Sequence, residues 1–429
     1  MTVAEPVTRE PALLAQRPMR IAVIVNMVAP YTRPLFDRLA QRAECELLVV
    51  AETPMERDRR WSPEVDLPFE HVLLDSWTLD LAPLAVGSNF KTRFDTYVYV
   101  PKHPLRALDR FAPDVVVAGG GGIWSSPANI AALAARRRGG WAVATWWGSF
   151  TRPHPTWPRR VAEPWVRFFM RSADACLAYG TRHVHDLAAM GVEPARTVIA
   201  PITALTPEHP PARGPARSGA ETRFLFVGRF IERKGLDTLL EAFRLADTGT
   251  LRLVGDGPLA EEVTRAAAAD ERIQLAGHLA GEALSQAYAE ADALIVPSLY
   301  EPWGLVVHEG LAHGVPVITT DQVGAADDLL DPGVNGYVVP AGSAPALAEA
   351  MRSLTTWDQE RHDRSARRSA ETLARCSFDR GADGFVRGCA VALAHREREA
   401  AAGRRRRVRN TDARHSQKGA TTWSSRKRL

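Results

Sequence analysis

Cysteine is scarce in this sequence. Four are spread over 429 residues, at Cys45, Cys176, Cys376 and Cys389, and no two form a C-x-x-C pair. That spacing argues against a zinc site, offers no disulfide framework, and suits a reducing compartment. Long apolar runs are missing too: none approaches the ~18 residues of a membrane-spanning helix. The first residues include Glu5 and Glu10 and no apolar core, so no secretory leader is expected and the expected location is the cytoplasm. A surplus of one charge is present only on the surface of the numbers. The net charge is +4, but residues 403–429 alone hold ten Lys and Arg, four of them consecutive at Arg404 to Arg407, against Asp412. Taking that +9 from the whole leaves a body of −5, so the basic character belongs to a tail. What remains is ordinary globular usage, with 45% hydrophobic and 24% charged residues, in a chain long enough to bury large cores unaided.

Short apolar runs at 21–25, 47–50, 115–117, 142–144, 175–178 and 198–200 do not alternate, which is how strands buried on both faces read. Helical stretches lie between several of them. Residues 206–220 then contain four prolines and no large apolar side chain, the best linker in the chain. A second alternation starts at Phe224, with strands expected at 224–227, 251–254, 273–275, 293–296 and 315–319. Leu236, Leu239, Leu240 and Phe243 fall at i, i+3, i+4 and i+7, one helix face. The fold class expected is α/β: two Rossmann-like, doubly wound parallel-sheet domains facing a central cleft. The expected boundaries are a loose N-terminus at 1–18, a first domain at 19–205, a linker at 206–220, a second domain at 221–375, a closing helix at 376–402 and a basic disordered tail at 403–429.

Three clusters follow strand ends of the second half, the edge where open α/β sheets bind ligands. In Gly228-Arg229-Phe230-Ile231-Glu232-Arg233-Lys234-Gly235, Gly228 permits a tight exit while Arg229 and Lys234 project from a loop and first helical turn. Two cations beside a helix N-terminus suit a diphosphate. In Gly255-Asp256-Gly257-Pro258, Gly255 and Gly257 allow close backbone approach to a ligand, and Asp256 reads as a helix N-cap. In Glu301-Pro302-Trp303-Gly304-Leu305…Glu309, Pro302 keeps Glu301 in a loop and a helix starts near 303–305, whose N–H groups can hold hydroxyls or phosphate oxygens. Glu309 can accept two hydrogen bonds from a vicinal diol such as ribose. Taken singly, each cluster also reads as a solvated basic turn, a strand-to-helix turn or two unrelated carboxylates. Metal is rejected: His308 and His313 are five apart, not the four of a zinc helix, and His183 and His185 are two apart.

Together and in this order, these clusters, followed by Ala312-His313-Gly314-Val315-Pro316-Val317-Ile318 and Asn335-Gly336-Tyr337-Val338-Val339, resemble the donor half of GT-B retaining glycosyltransferases, family 4 (glycosyl transferases group 1). The likeness spans about residues 224–340. It implies that Arg229 and Lys234 neutralise a donor diphosphate, that Glu309 holds the ribose, and that Glu301 with the amides of Trp303, Gly304 and Leu305 holds the sugar. Gly228 and Gly255 would line the nucleotide. It further implies transfer to an acceptor hydroxyl with retention at the anomeric carbon, and a closing helix that returns to the first domain. Cations and a helix dipole can stabilise the leaving diphosphate, so neither metal nor cofactor is expected beyond the nucleotide-sugar donor.

The sequence departs from the family pattern in three places. The stretch Ala144-Thr145-Trp146-Trp147-Gly148-Ser149-Phe150 has no His where relatives often carry one, and His154 is near it only in sequence, so no general base is assigned. The usual Gly-Gly-x-x-Glu reads here Gly324-Ala325-Ala326-Asp327-Asp328, which puts its grip on the donor in doubt. Trp303 stands where Phe is frequent. On the acceptor side, the glycines at 119–122 read equally as a ligand loop or a flexible one. The span 146–171 interleaves Trp and Phe with Arg, which suits either a membrane interface or a core plus a basic face. The acceptor class stays open among glycan, glycolipid and small molecule, with peripheral contact at the inner face of a membrane as an option. The tail shows no nucleic-acid module, so no specific nucleic-acid partner is expected. Two other enzymes, a GT-B-type nucleotide-sugar epimerase and a glycan phosphorylase, share the two-domain plan, and a non-catalytic nucleotide-sugar-binding protein is a further reading.

Overall fold

The computed structural model describes residues 17–54, 66–80, 97–119, 126–149, 157–207, 210–215 and 217–424. In the first half the elements run β1 (Met19–Val25), α1 (Arg33–Ala40), β2 (Cys45–Ala51), β3 (Glu70–Leu73), β4 (Ser76–Asp80), β5 (Tyr97–Pro101), α2 (Arg106–Phe111), β6 (Val115–Ala118), α3 (Pro127–Gly139), β7 (Ala142–Trp147), α4 (Trp157–Ser172), β8 (Ala175–Ala178), α5 (Thr181–Ala189) and β9 (Thr197–Ile199). Seven of the strands form one parallel sheet in the order β3-β2-β1-β6-β7-β8-β9. The apolar runs are its central strands, and β6, β7 and β8 are buried at every residue because helices cover both faces. β4 and β5 pair antiparallel outside this sheet, and no apolar run announces β3 or β4.

The second half runs β10 (Arg223–Val227), α6 (Leu236–Ala246), β11 (Thr250–Val254), α7 (Ala260–Ala269), β12 (Ile273–Gly277), α8 (Gly281–Ala289), β13 (Ala293–Val296), α9 (Leu305–Ala312), β14 (Val317–Thr320), α10 (Ala326–Leu329), β15 (Gly336–Val339), α11 (Ala344–Leu354), α12 (Gln359–Leu373) and α13 (Phe378–Ser424). Its six strands are all parallel, in the order β12-β11-β10-β13-β14-β15. The order reverses between β10 and β13, the switch point at which such sheets hold ligands. Leu236, Leu239 and Phe243 of α6 are buried against this sheet, as their spacing requires.

Arg213 and Arg217 of the linker run along the second domain, donating to the carbonyls of Ala291 and Gly314 and pairing with Asp292. From Phe378 the chain crosses to the first domain, where α13 lies over α1 and the strands β7 to β9. The crossing is pinned at the Cys376 carbonyl, which accepts from Thr203 Oγ1 and from His308 Nε2, each at 3.2 Å. α13 approaches so closely that a Cβ on Gly384 would stand 2.3 Å from the Ile199 carbonyl oxygen, and one on Gly388 would stand 2.7 Å from Leu177. The backbone of α13 is helical through Ser424, within the span expected as a basic tail at 403–429. Ala and Arg are among the best helix formers, and a stretch rich in them continues a helix already nucleated and packed.

All four cysteines are unpaired and buried, and burial pushes their thiols up, which makes them inert core residues. No helix among the described residues is long and apolar enough to cross a membrane.

Candidate functional site

Contacts between the domains come from segments just past strand ends. Ser149 follows β7 and meets Tyr300, which follows β13, with 2.7 Å between their hydroxyls. Thr181 follows β8 and meets Asp328, which follows β14. The C-terminal edges of the two sheets therefore face each other, and the residues singled out from the sequence lie along the edge of the second sheet.

Lys234 ends a short 3₁₀ turn (Glu232–Lys234) before α6. Its Nζ donates to Glu301 Oε2 at 2.5 Å, and both side chains are largely buried. Glu301 sits between β13 and α9, held by its amide on the Gln322 carbonyl and by its own carbonyl on the Gly324 amide. Glu309 lies one turn into α9. Tyr288 of α8 donates its hydroxyl to Glu309 Oε2 at 2.6 Å. Burial pushes the Glu309 carboxyl above its usual range, against the pull of the Tyr288 hydroxyl and the Lys234 ammonium. Lys234, Glu301 and Glu309 thus form one cluster at the switch point. Arg229 lies in the loop after β10, five residues before Lys234.

Gly304 caps α9 with φ 103°, a conformation that side chains with a Cβ avoid. The next amide, that of Leu305, opens the helix without an intrahelical partner, so the start of α9 carries positive potential beside the loop that holds Glu301. The Trp303 ring points elsewhere. It is buried, packing 6.4 Å from Tyr179 and 5.9 Å from His183 of the first domain.

At Gly255 a Cβ would stand 1.8 Å from the Gly228 carbonyl oxygen, so glycine there also lets the loops after β10 and β11 pack on each other. One expectation changes. Asp256 does not cap a helix: α7 starts at Ala260 behind Leu259, and the Asp256 carboxylate accepts from the Gly257 amide at 2.7 Å. Three of the histidines weighed as metal ligands have hydrogen-bond partners in the protein: His183 on the Pro302 carbonyl, His308 on the Cys376 carbonyl, and His313 on Ser285 and Glu309. His313 accepts through Nε2 from Ser285 Oγ (2.7 Å) and donates through Nδ1 to the Glu309 carbonyl, stacked on Tyr288. Tyr288 of α8 and Thr181, Arg182 and His183 of α5 carry no sequence signal for the site, because they reach it from elements other than those that carry the clusters.

Of the acceptor-side segments, residues 120–125 and 150–156, with His154, lie outside the described residues. The aromatic and basic span divides in two. Trp146 and Trp147 are core residues of β7. On α4, Val161, Trp165 and Phe168 share one face at i, i+4 and i+7 and are exposed by 61%, 37% and 57%, and the last two rings are stacked. Arg160, Arg167 and Arg171 are exposed on the same helix.

Two parallel-sheet α/β domains apposed at their C-terminal edges make this a GT-B fold. A family model described as "Glycosyl transferases group 1" matches residues 221–356, and one described as "Glycosyl transferase 4-like domain" matches residues 28–203. The GDP-mannose-dependent alpha-mannosyltransferase of Mycobacterium tuberculosis (strain CDC 1551 / Oshkosh) is 32% identical over 282 residues, which cover 62% of this chain and 70% of that protein. The chain belongs to the group 1 glycosyltransferase family. It is also 33% identical to the lipopolysaccharide core biosynthesis glycosyltransferase LpsE of Rhizobium meliloti (strain 1021) over 150 residues, 34% of this chain and 43% of that one. Matches to several curated relatives span only 37% to 43% of their lengths. Among solved structures, the lipopolysaccharide outer core galactosyltransferase WaaB superposes with a TM-score of 0.61 at 19% identity, and Anabaena Alr3699/HepE in complex with UDP with 0.62 at 15%. Each comparison covers 86% of this chain and 99% of the other, and each shows the shared fold.

Proposed function

We propose that this protein moves a sugar from a nucleotide-diphosphate sugar to an acceptor hydroxyl, with retention and without a metal ion. The observation that carries the reading is the cluster of Lys234, Glu301 and Glu309 beside the N-terminus of α9 at the switch point of the second sheet. An ammonium has three protons, and among the described residues Glu301 takes one from Lys234. The others, with Arg229, supply positive charge where a diphosphate leaves. The amides of Gly304 and Leu305 add the helix dipole, and such charge acts at full strength away from water. Glu309 suits the ribose diol, and Glu301 the sugar hydroxyls, while also keeping Lys234 in place.

The step breaks the bond from the anomeric carbon to the diphosphate oxygen and forms one to the acceptor oxygen on the same face. The acceptor proton passes to the departing phosphate oxygen, so no side-chain base is required. A relative that is GDP-mannose-dependent and a structural neighbour in complex with UDP support a nucleotide-sugar donor. The exposed aromatic face and arginines of α4 support an acceptor presented at an anionic membrane surface.

The test is thermal unfolding with UDP, GDP, dTDP, ADP and CDP in turn, in the presence of a chelator. A nucleotide at ~100 times its dissociation constant stabilises by about 2.7 kcal/mol. A shift with one nucleotide names the donor class. The matching nucleotide sugars, offered with glycan and lipid acceptors, then separate transfer from epimerisation without an acceptor, and from binding without turnover. No shift with any of the five overturns the site.

A further inference from the structure

We propose that the first turn of α5 and the two acids of α10 form a clasp between the domains, and that Thr181, Arg182 and His183 thereby position the donor loop 301–305. The purpose of that loop rests on the function proposed above; the clasp itself rests on contacts that cross the domain boundary.

Three consecutive residues of the first domain hold three separate segments of the second. Thr181 donates its amide to Asp328 Oδ2 at 2.9 Å and its hydroxyl to Asp328 Oδ1 at 2.6 Å. Asp328 thus caps α5 from the other domain, its charge at the positive end of that helix. Arg182 binds Asp327 through two parallel bonds, at 2.9 and 2.7 Å, and also donates to the Asp321 carbonyl after β14. His183 donates from Nε2 to the Pro302 carbonyl at 2.9 Å. Burial pushes that imidazole down to about 4, so it is neutral at ordinary pH and makes this bond without a charge. Pro302 stands between Glu301 and Trp303, so the carbonyl that His183 grips belongs to the loop carrying the sugar-binding candidates.

Closeness is built in. A Cβ on Gly180 would stand 2.2 Å from Asp328 Oδ2 and 2.7 Å from the Trp303 ring. The bonds are polar and the Arg182–Asp327 pair is partly exposed, so water can replace them when the domains part. Asp327 and Asp328 occupy the place where the sequence departs from the family's Gly-Gly-x-x-Glu. Acids suited to gripping the other domain stand where a donor contact was in doubt.

The experiment places one spin label in each domain of the full chain, away from the clasp, and measures the distance between them with no substrate added. Arg182→Asp and Asp327→Arg are each compared with wild type and with the double exchange, which restores the pair with its charges reversed. Arg182→Lys keeps the charge and loses the second parallel bond. Expected is a longer and broader distance in each single exchange, a return toward wild type in the double exchange, and an intermediate result for Arg182→Lys. With a donor in hand, the single exchanges should raise its KM about tenfold while the melting temperature of each domain stays in place. Single-exchange distances that superimpose on wild type, or a folded double exchange that stays open, overturn the clasp. Absence of turnover with every donor counts against the proposed function and leaves the distance reading intact.

Discussion

Lys234 works at two partners. Its ammonium holds Glu301 at 2.5 Å and lowers the cost of keeping the Glu309 carboxylate buried. On the proposed function, replacing it with Ala removes a phosphate cation and the partner of Glu301, so Lys234→Ala should cut turnover by two orders of magnitude or more, roughly the scale of losing one transition-state donor. Glu309→Ala should do the same mainly through donor affinity. Initial rates with the donor identified by the nucleotide panel check both, and wild-type rates in either would remove that residue from the site. Glu52 is a buried carboxylate of a different kind. It follows β2, accepts from Ser126 Oγ at 2.8 Å at the start of α3, and is pushed by burial up to about 7. A carboxyl with a raised folded value binds its proton more tightly folded than unfolded. Its stabilising contribution is therefore present below the unfolded value near 4.5 and is lost as pH rises through about 7. Glu52→Gln keeps the acceptor and removes the titration. It should unfold at higher denaturant than wild type at pH 8, by at most about 3 kcal/mol, and show little difference at pH 4.5. An equal gap at both values would contradict the assignment.

At the scale of elements, α13 shows tertiary packing overriding local preference. Gly381, Gly384 and Gly388 sit inside a helix, where each costs roughly 1 kcal/mol against Ala. Propensity by itself makes Gly384→Ala stabilising. The structure reverses the sign, because the new methyl would lie 2.3 Å from the Ile199 carbonyl oxygen. Chemical denaturation should show a loss of about 1–3 kcal/mol, the usual cost of overpacking, and any gain would mean that α13 does not lie on β9 as described. α9 is governed by its ends in the same way. Gly304 opens it at a positive φ, and His313 closes it on the Glu309 carbonyl, so the helix that carries the site is held at both termini.

For the whole molecule, the proposed membrane contact falls on one helix of the first domain. α4 packs Phe169 and Met170 inward and turns Val161, Trp165 and Phe168 outward beside three arginines. Such an apolar face flanked by cations suits a lipid interface with anionic headgroups, which makes the proposed contact testable. The protein should sediment with phosphatidylglycerol-containing vesicles and not with phosphatidylcholine alone, and should release as salt rises. Trp165→Glu with Phe168→Glu should abolish sedimentation without changing nucleotide binding in solution. Equal sedimentation of that variant would assign the lipid contact to another surface, and wild type left in the supernatant would remove it.

The apolar runs, the proline-rich linker and the ordered clusters from Gly228 to Glu309 made two parallel α/β domains and a donor edge legible, because burial on both faces and exit from a strand leave local marks. Polar edge segments such as β3 and β4 left none. Nor did the partnership of Tyr288 with Glu309, 21 residues away on another helix, or that of Thr181 with Asp328, 147 residues away in another domain. The sequence by itself determined which buried strands and amphipathic helices form, what charge the tail carries and which residues crowd one sheet edge. Tertiary structure alone decided that Gly255 serves its neighbouring loop, that Trp303 faces the first domain, and that Asp327 and Asp328 reach across. The physical reason is range. Periodicity and turn chemistry act over a few residues, whereas a hydrogen bond between domains depends on the path of the whole chain between its two ends.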